Sequence, residues 1–150
     1  MFFVGIEYFS LQGDIVAFGI DDYPKERVSA QEFIDIVKAQ GGICHSAHPF
    51  RNNNRGLEEH LAVLKGLDGV EVLNGSTSWE ANLTAVEYAE KYNYITVGAS
   101  DCHVSDKVGV FATYFPKEVQ TLEEFTGMFK EGNLKPAYYG DGSYHIWDMN

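Results

Sequence analysis

The sequence predicts an α/β domain: a mostly parallel sheet with helices packed outside it. Three observations carry this. From residue 43 onward, short apolar runs alternate with helical stripes in the order β-α-β-α-β, then β-α, and such alternation favours parallel strands joined by crossovers. The 150 residues suit one domain with a real core, so 1–150 reads as a single unit with a peripheral tail at 140–150. The composition, 45% hydrophobic and 22% charged, is that of an ordinary globular chain.

Residues 2–9 (FFVGIEYF) and 14–20 (DIVAFGI) read as strands, with Leu11-Gln12-Gly13 as the hairpin turn between them. Ser29 is a good N-cap, and Glu32 follows at capping-box spacing. Phe33, Ile34, Ile36 and Val37 then form an apolar stripe that stops at Gly41-Gly42. Residues 43–47 form a short strand that Pro49 cannot continue, and 52–56 (NNNRG) a loop. Residues 57–65 read as a helix, 70–73 as a strand, and 80–92 as a helix with Leu83, Val86, Tyr88 and Ala89 as its apolar positions. Strands follow at 95–99 and 108–115. Thr121, with Glu124 three residues on, opens a last helix that ends near Gly132, and the tail GDGSYHIWDMN is weakly patterned.

The formal net charge of −11, with lysines and arginines scattered, argues against a nucleic-acid partner. No apolar run of about 18 residues is present, so no membrane span is expected. The opening MFFVGIEYFS has no basic region and carries Glu7, unlike a signal peptide; the expected location is the cytoplasm. Cys44 and Cys102 are too few for a disulfide framework and read as reduced thiols.

Polar groups fall where strands finish. Glu7 follows Val4-Gly5-Ile6, CHSAHPFR (44–51) follows Ile43, Glu71 and Asn74 flank Val72-Leu73, and Asp101 and His103 close the run after Val97. In a parallel sheet these would face one mouth. If the chain is still extended at Asp101, its side chain and that of His103 share a face. Imidazole plus carboxylate is the ligand set of a hydrolytic zinc, manganese or iron site, where a metal would polarise a phosphoryl oxygen and activate a water. Each residue has a plainer reading too. Glu7 could face solvent, His48 could bond a turn backbone, Asp101 could form an Asx turn, and Arg51 could lie on the surface. Arg51 also sits well for phosphate, whose oxygens its planar fork fits. His45 reads as pointing to the other side or packing on a helix, His60 and His145 as solvated, and Cys102 as pointing away from the pocket.

Together, GIEY (5–8), GGICHSAHPFR (41–51), LDGVEVLNG (67–75), ANLTAVEYA (81–89) and VGASDCHVSDKVG (97–109) resemble the PHP (polymerase and histidinol phosphatase) family. The resemblance implies a distorted (β/α)7, TIM-like barrel, up to three zinc, manganese or iron ions, and hydrolysis of small phosphate esters. It assigns Glu7, His48, Asp101 and His103 to metal, with Glu7 bridging two ions. It gives Arg51 and His103 roles in holding phosphate, and Glu71 and Asn74 supporting roles. The family's first His-x-His strand, with the acidic residue and histidine that follow it, has no counterpart here, and Val16 stands where a histidine is expected. The expectation is therefore an incomplete barrel without a full trinuclear site. Its metal could be sub-stoichiometric or absent, and its open sheet edge favours a homo-oligomer. Two functions follow: a metal-dependent phosphoesterase, residual or truncated, acting on a small phosphorylated substrate; or a non-catalytic module that binds a metal or phosphorylated ligand, or serves in assembly.

Overall fold

Strand β1 (Ile6–Phe9) folds back on β2 (Asp14–Phe18) in an antiparallel hairpin, with Glu7 opposite Val16 and Phe9 opposite Asp14. The turn is closed by Ser10, whose amide and hydroxyl both donate to the Gly13 carbonyl. The computed structural model describes residues 2–148. Helix α1 (Ala30–Ala39) starts at Ser29, whose side chain accepts from the Glu32 amide, as the sequence predicts. Then come β3 (Ile43–Ser46), a 3-10 turn at Glu58–Ala62, β4 (Gly69–Asn74), helix α2 (Trp79–Tyr92) and β5 (Ile95–Ala99). These five strands form one sheet in sequence order.

The sheet is mixed. β3, β4 and β5 run parallel, but β2 pairs antiparallel with both β1 and β3. The reason lies in residues 19–28. This segment leaves the end of β2 and returns along the sheet to the hairpin turn, where the Val28 carbonyl accepts from the Leu11 amide and Gln12 accepts from the Ala30 amide. Helix α1 then runs the other way and delivers Ile43 beside Phe18. The extra reversal makes β3 antiparallel to β2, despite the helix between them.

A second sheet is wholly antiparallel. β6 (Phe111–Tyr114), β7 (Lys135–Gly140) and β8 (Ser143–Ile146) pair in sequence order, with helix α3 (Leu122–Glu131) between β6 and β7. Residues 2–148 thus form a small mixed α/β domain of eight strands in two sheets and three helices. It is not the incomplete (β/α)7, TIM-like barrel that the resemblance implies, and its sheets are not mostly parallel. Within the stretch 57–65 only Glu58–Ala62 is helical, as a 3-10 turn, and residues 135–146 form a hairpin that takes in much of the weakly patterned tail at 140–150.

Packing follows from alternation along each strand. On one face, Ile15, Ala17, Cys44, Val70 and Val72 meet Phe33, Ile34 and Val37 of α1 and Ala85, Val86 and Ala89 of α2. Each large apolar side chain buried there contributes about 1.5–3 kcal/mol. Lys38 reaches from α1 to Asp68, whose other contact is the Cys44 amide, fixing the helix to the strand. On the other face, Ile43 and Val97 pack against Phe129 of α3. With both faces covered, all six residues of β4 are buried.

Candidate metal centre

The face of the sheet turned toward α3 carries the polar groups. Glu7 and Val16 share it by their register, and His45 pairs with Val16 on β3. Glu71 and Asn74 are three apart on β4, which in a regular strand would place them on opposite faces. A bulge between Glu71 and Leu73 shifts the phase, so both line the same cavity. That cavity, of about 420 Å³, is walled by Glu7, His45, His48, Glu71, Asn74 and Asp101 at its polar end, and by apolar residues including Phe18, Phe125 and Phe129 at the other.

His48 lies just past β3 with a φ of +28°, and Asp101 just past β5 with a φ of +44°. Neither is a conformation that a side-chain-bearing residue adopts freely, and such strain persists only where the surroundings enforce it. At His48 the enforcing contact is the amide, which donates to Glu71 Oε2 at 2.9 Å. The His48 ring is almost wholly buried, and its Nε2 lies 3.2 Å from Glu7 Oε1 and 3.4 Å from Asp14 Oδ2. Two carboxylates therefore face this one ring nitrogen.

Among the described residues, Glu7, Asp14 and His48 are the group whose ligand atoms converge, all within 4.8 Å of one another. The chemistry of this donor set fits a hard or borderline divalent ion. Asp14 Oδ2 and His48 Nδ1 are buried without a hydrogen bond, so the corner is not fully satisfied by the protein alone. The His48 hydrogen bond holds the Glu7 carboxyl below its usual range, whereas burial pushes the Asp14 carboxyl above its own against the pull of Arg55.

Glu71 is the keystone beneath. It accepts from the His48 amide, from Asn74 Nδ2 at 2.9 Å and from His45 Nε2 at 3.4 Å. Burial opposes its charge, but the His45, His48 and Asn74 contacts outweigh burial and hold its carboxyl low. His45, stacked on Phe129, packs on a helix as the sequence suggests and lines the cavity as well.

Asp101 and His103 stay in contact, His103 Nδ1 lying 3.3 Å from Asp101 Oδ1, but not because the chain remains extended. β5 ends at Ala99 and the positive φ at Asp101 breaks the alternation. The Asp101 carboxylate turns into the cavity mouth and meets Arg51 and Asn74, while the His103 side chain is 75% exposed at the rim, its Nδ1 3.0 Å from the Asp101 carbonyl. Arg51 braces this corner: besides Asp101 it donates to Asn74 Oδ1 at 2.8 Å and to Thr77 Oγ1 at 3.1 Å. Asp14 is the one member of the converging group that sequence reasoning passes over. The available signal is its place two residues before Val16, on the same face of β2 as the position where a histidine is expected.

Residues 79–134, from α2 to the turn before β7, match the family model described as PHP-associated. The chain thus carries a PHP-associated segment from α2 to the turn before β7. Two curated relatives, both called uncharacterized, are MJ0417 and MJ1587 of Methanocaldococcus jannaschii. MJ0417 is 32% identical over 112 residues, covering 70% of this chain and 47% of that protein. MJ1587 is 31% identical over 71 residues, covering 47% and 41%. The chain spans less than half the length of the curated relatives it matches. Among solved structures, PsfC from Pseudomonas syringae PB-5123 superimposes with a TM-score of 0.73 at 17% identity, over 93% of this chain and 60% of that one, a likeness of fold. A protein of Bifidobacterium adolescentis, provisionally described as a metal-dependent phosphoesterase, is 31% identical with a TM-score of 0.47, over 55% of this chain and 30% of that one.

Proposed function

We propose that this domain belongs to the PHP family and hydrolyses small phosphate esters with the help of a divalent metal, zinc, manganese or iron. The observation that carries the reading is the convergence of Glu7 and His48, at the polar end of the cavity, with the buried Asp14. A bound divalent ion would supply a water acidic enough to attack phosphorus and a charge to polarise the phosphoryl oxygen. Glu7 and His48 would hold that ion, and Glu71 fixes the His48 backbone from below. Asp101 and His103 at the opposite lip would form a second metal corner or bind phosphate, with Arg51 holding the Asp101 carboxylate in place and available to phosphate oxygens. The site is assigned no nucleic-acid or membrane partner; the acidic charge supports the first exclusion. Among the described residues no helix is long and apolar enough to cross a membrane.

A second reading, a non-catalytic module that binds a metal or a phosphorylated ligand, is favoured by one observation. Val16 projects into the cavity between Glu7 and His45 and offers no ligand atom. One experiment separates the two. The protein is titrated with Mn2+, and hydrolysis of a chromogenic phosphomonoester is followed with and without the ion. The expected outcome is metal-dependent hydrolysis. Glu7→Gln and His48→Ala should each lower Mn2+ affinity by at least about tenfold, the low end of what losing even a supporting group costs at such sites. Metal binding without hydrolysis would select the non-catalytic module, and unchanged binding in both folded variants would overturn the site.

A further inference from the structure

Arg55 stands on the carboxylate that the metal reading needs, and the following inference rests on that reading. Asp14 is fully buried. Its Oδ1 accepts from Arg55 Nη2 at 2.9 Å. Its Oδ2 lies 2.6 Å from Arg55 Nε, a close ionic contact without hydrogen-bonding geometry that leaves both atoms unbonded. The same Oδ2 lies 3.4 Å from His48 Nε2. One oxygen therefore faces two cation positions: a guanidinium on one side, and the gap between Glu7 and His48 on the other.

Charge decides what can share this corner. A buried carboxylate without a counter-charge is costly, so the metal-free fold needs Arg55. A divalent ion bound by Glu7, Asp14 and His48 would lie against the guanidinium, and two cations at such range repel strongly away from water. We propose that Arg55 is a displaceable counter-ion: it neutralises Asp14 in the metal-free protein and withdraws toward solvent when a divalent cation takes Glu7, Asp14 and His48.

The local structure suits such a movement. The Arg55 side chain is 44% exposed, so it has somewhere to go. Its carbonyl accepts from the Asp14 amide at 2.7 Å, so the main chain stays pinned while the side chain leaves. The guanidinium carbon lies 4.6 Å from the centre of the Phe9 ring, whose face can keep part of its charge once Asp14 is released. Arg55 would thus keep the fold intact without metal, at the cost of weaker metal binding.

The test is calorimetric titration with Mn2+ of the whole chain and three variants, with circular dichroism to confirm folding. Arg55→Gln should bind Mn2+ about tenfold more tightly than the unaltered chain or better. Arg55→Lys keeps a cation and protects the fold if the first variant is unstable. Lacking the bidentate fork, it should fall between the two. Adding Asp14→Asn to Arg55→Gln should abolish the gain. Equal or weaker binding by folded Arg55→Gln and Arg55→Lys, or a gain that survives Asp14→Asn, overturns the role of Arg55 while leaving the metal reading standing. Absence of Mn2+ binding in all four chains overturns both.

Discussion

His48 and Asp101 are held with positive φ by contacts to Glu71, Asn74 and Arg51, so the two lips of the cavity are fixed by hydrogen bonds to buried carboxylate and amide groups. The two cysteines show the opposite extremes of environment. Cys44 lies on the far face of β3 among α1 and α2, where burial, with a further push from the Asp68 charge, raises its thiol to about 12 from an ordinary 9.0. Cys102 is exposed at the rim. A maleimide reagent at neutral pH should therefore label Cys102 at once and Cys44 only on unfolding; prompt labelling of both would contradict the packing. The pH dependence of stability has a definite sign. The folded thiol keeps its proton more tightly than the unfolded one, so its contribution is complete below pH 9.0 and is lost as pH rises toward about 12. Urea midpoints should fall more steeply across that window in the unaltered chain than in Cys44→Ala, where tyrosines and lysines titrate alike. Parallel slopes would refute the burial of Cys44.

At the scale of elements, caps and one bulge position the site. Helix α3 has a complete capping box: Thr121 accepts from the Glu124 amide, and the Glu124 carboxylate accepts from the Thr121 amide. The helix carries Phe125 and Phe129, which wall the cavity, so its first turn bears on the site as well as on stability. Thr121→Ala should cost about 1 kcal/mol, read from the urea midpoint. A neutral substitution would mean that α3 is held by its aromatic face alone. Gly98 shows how close the two sheets come. Its amide donates to the Thr113 hydroxyl, which donates back to the Gly98 carbonyl, and a Cβ there would meet the Ala112 carbonyl oxygen at 2.4 Å.

For the whole molecule, α3 and the β6–β8 sheet close over the face of the five-stranded sheet that the polar groups occupy. Phe129 is central: it packs on Ile43 and Val97, and its ring stacks on His45 at 5.7 Å between centres. Phe129→Ala should cost about 3–5 kcal/mol by transfer and cavity terms, a large share of the roughly 5–15 kcal/mol that holds such a domain together. Denaturant unfolding checks this, and a cost under about 1 kcal/mol would show that α3 is not part of the cooperative unit. The β1 edge of the sheet has no strand partner within the described chain. Pairing of that edge with a second copy remains our proposal for its cover.

The sequence by itself determined what is local. The Ser29 and Thr121 caps, the hairpin turn at 10–13 and the strand at Ile95–Ala99 depend on neighbours a few residues apart, and all are where spacing predicts. Strand direction was not legible, because it depends on the path of residues 19–28 across the sheet, and α/β alternation alone suggests parallel pairing. The 135–146 hairpin was missed because its strands carry exposed tyrosines without clear alternation. The motif residues Glu7, His48 and Asp101 could be named from sequence. Their grouping could not: the bulge at Glu71/Leu73 and the positive φ at Asp101 each change which way a side chain points, and each is enforced by contacts distant in the chain. Asp14 and Arg55 met Glu7 and His48 only in three dimensions, because burial rather than sequence spacing sets the charge balance of that corner.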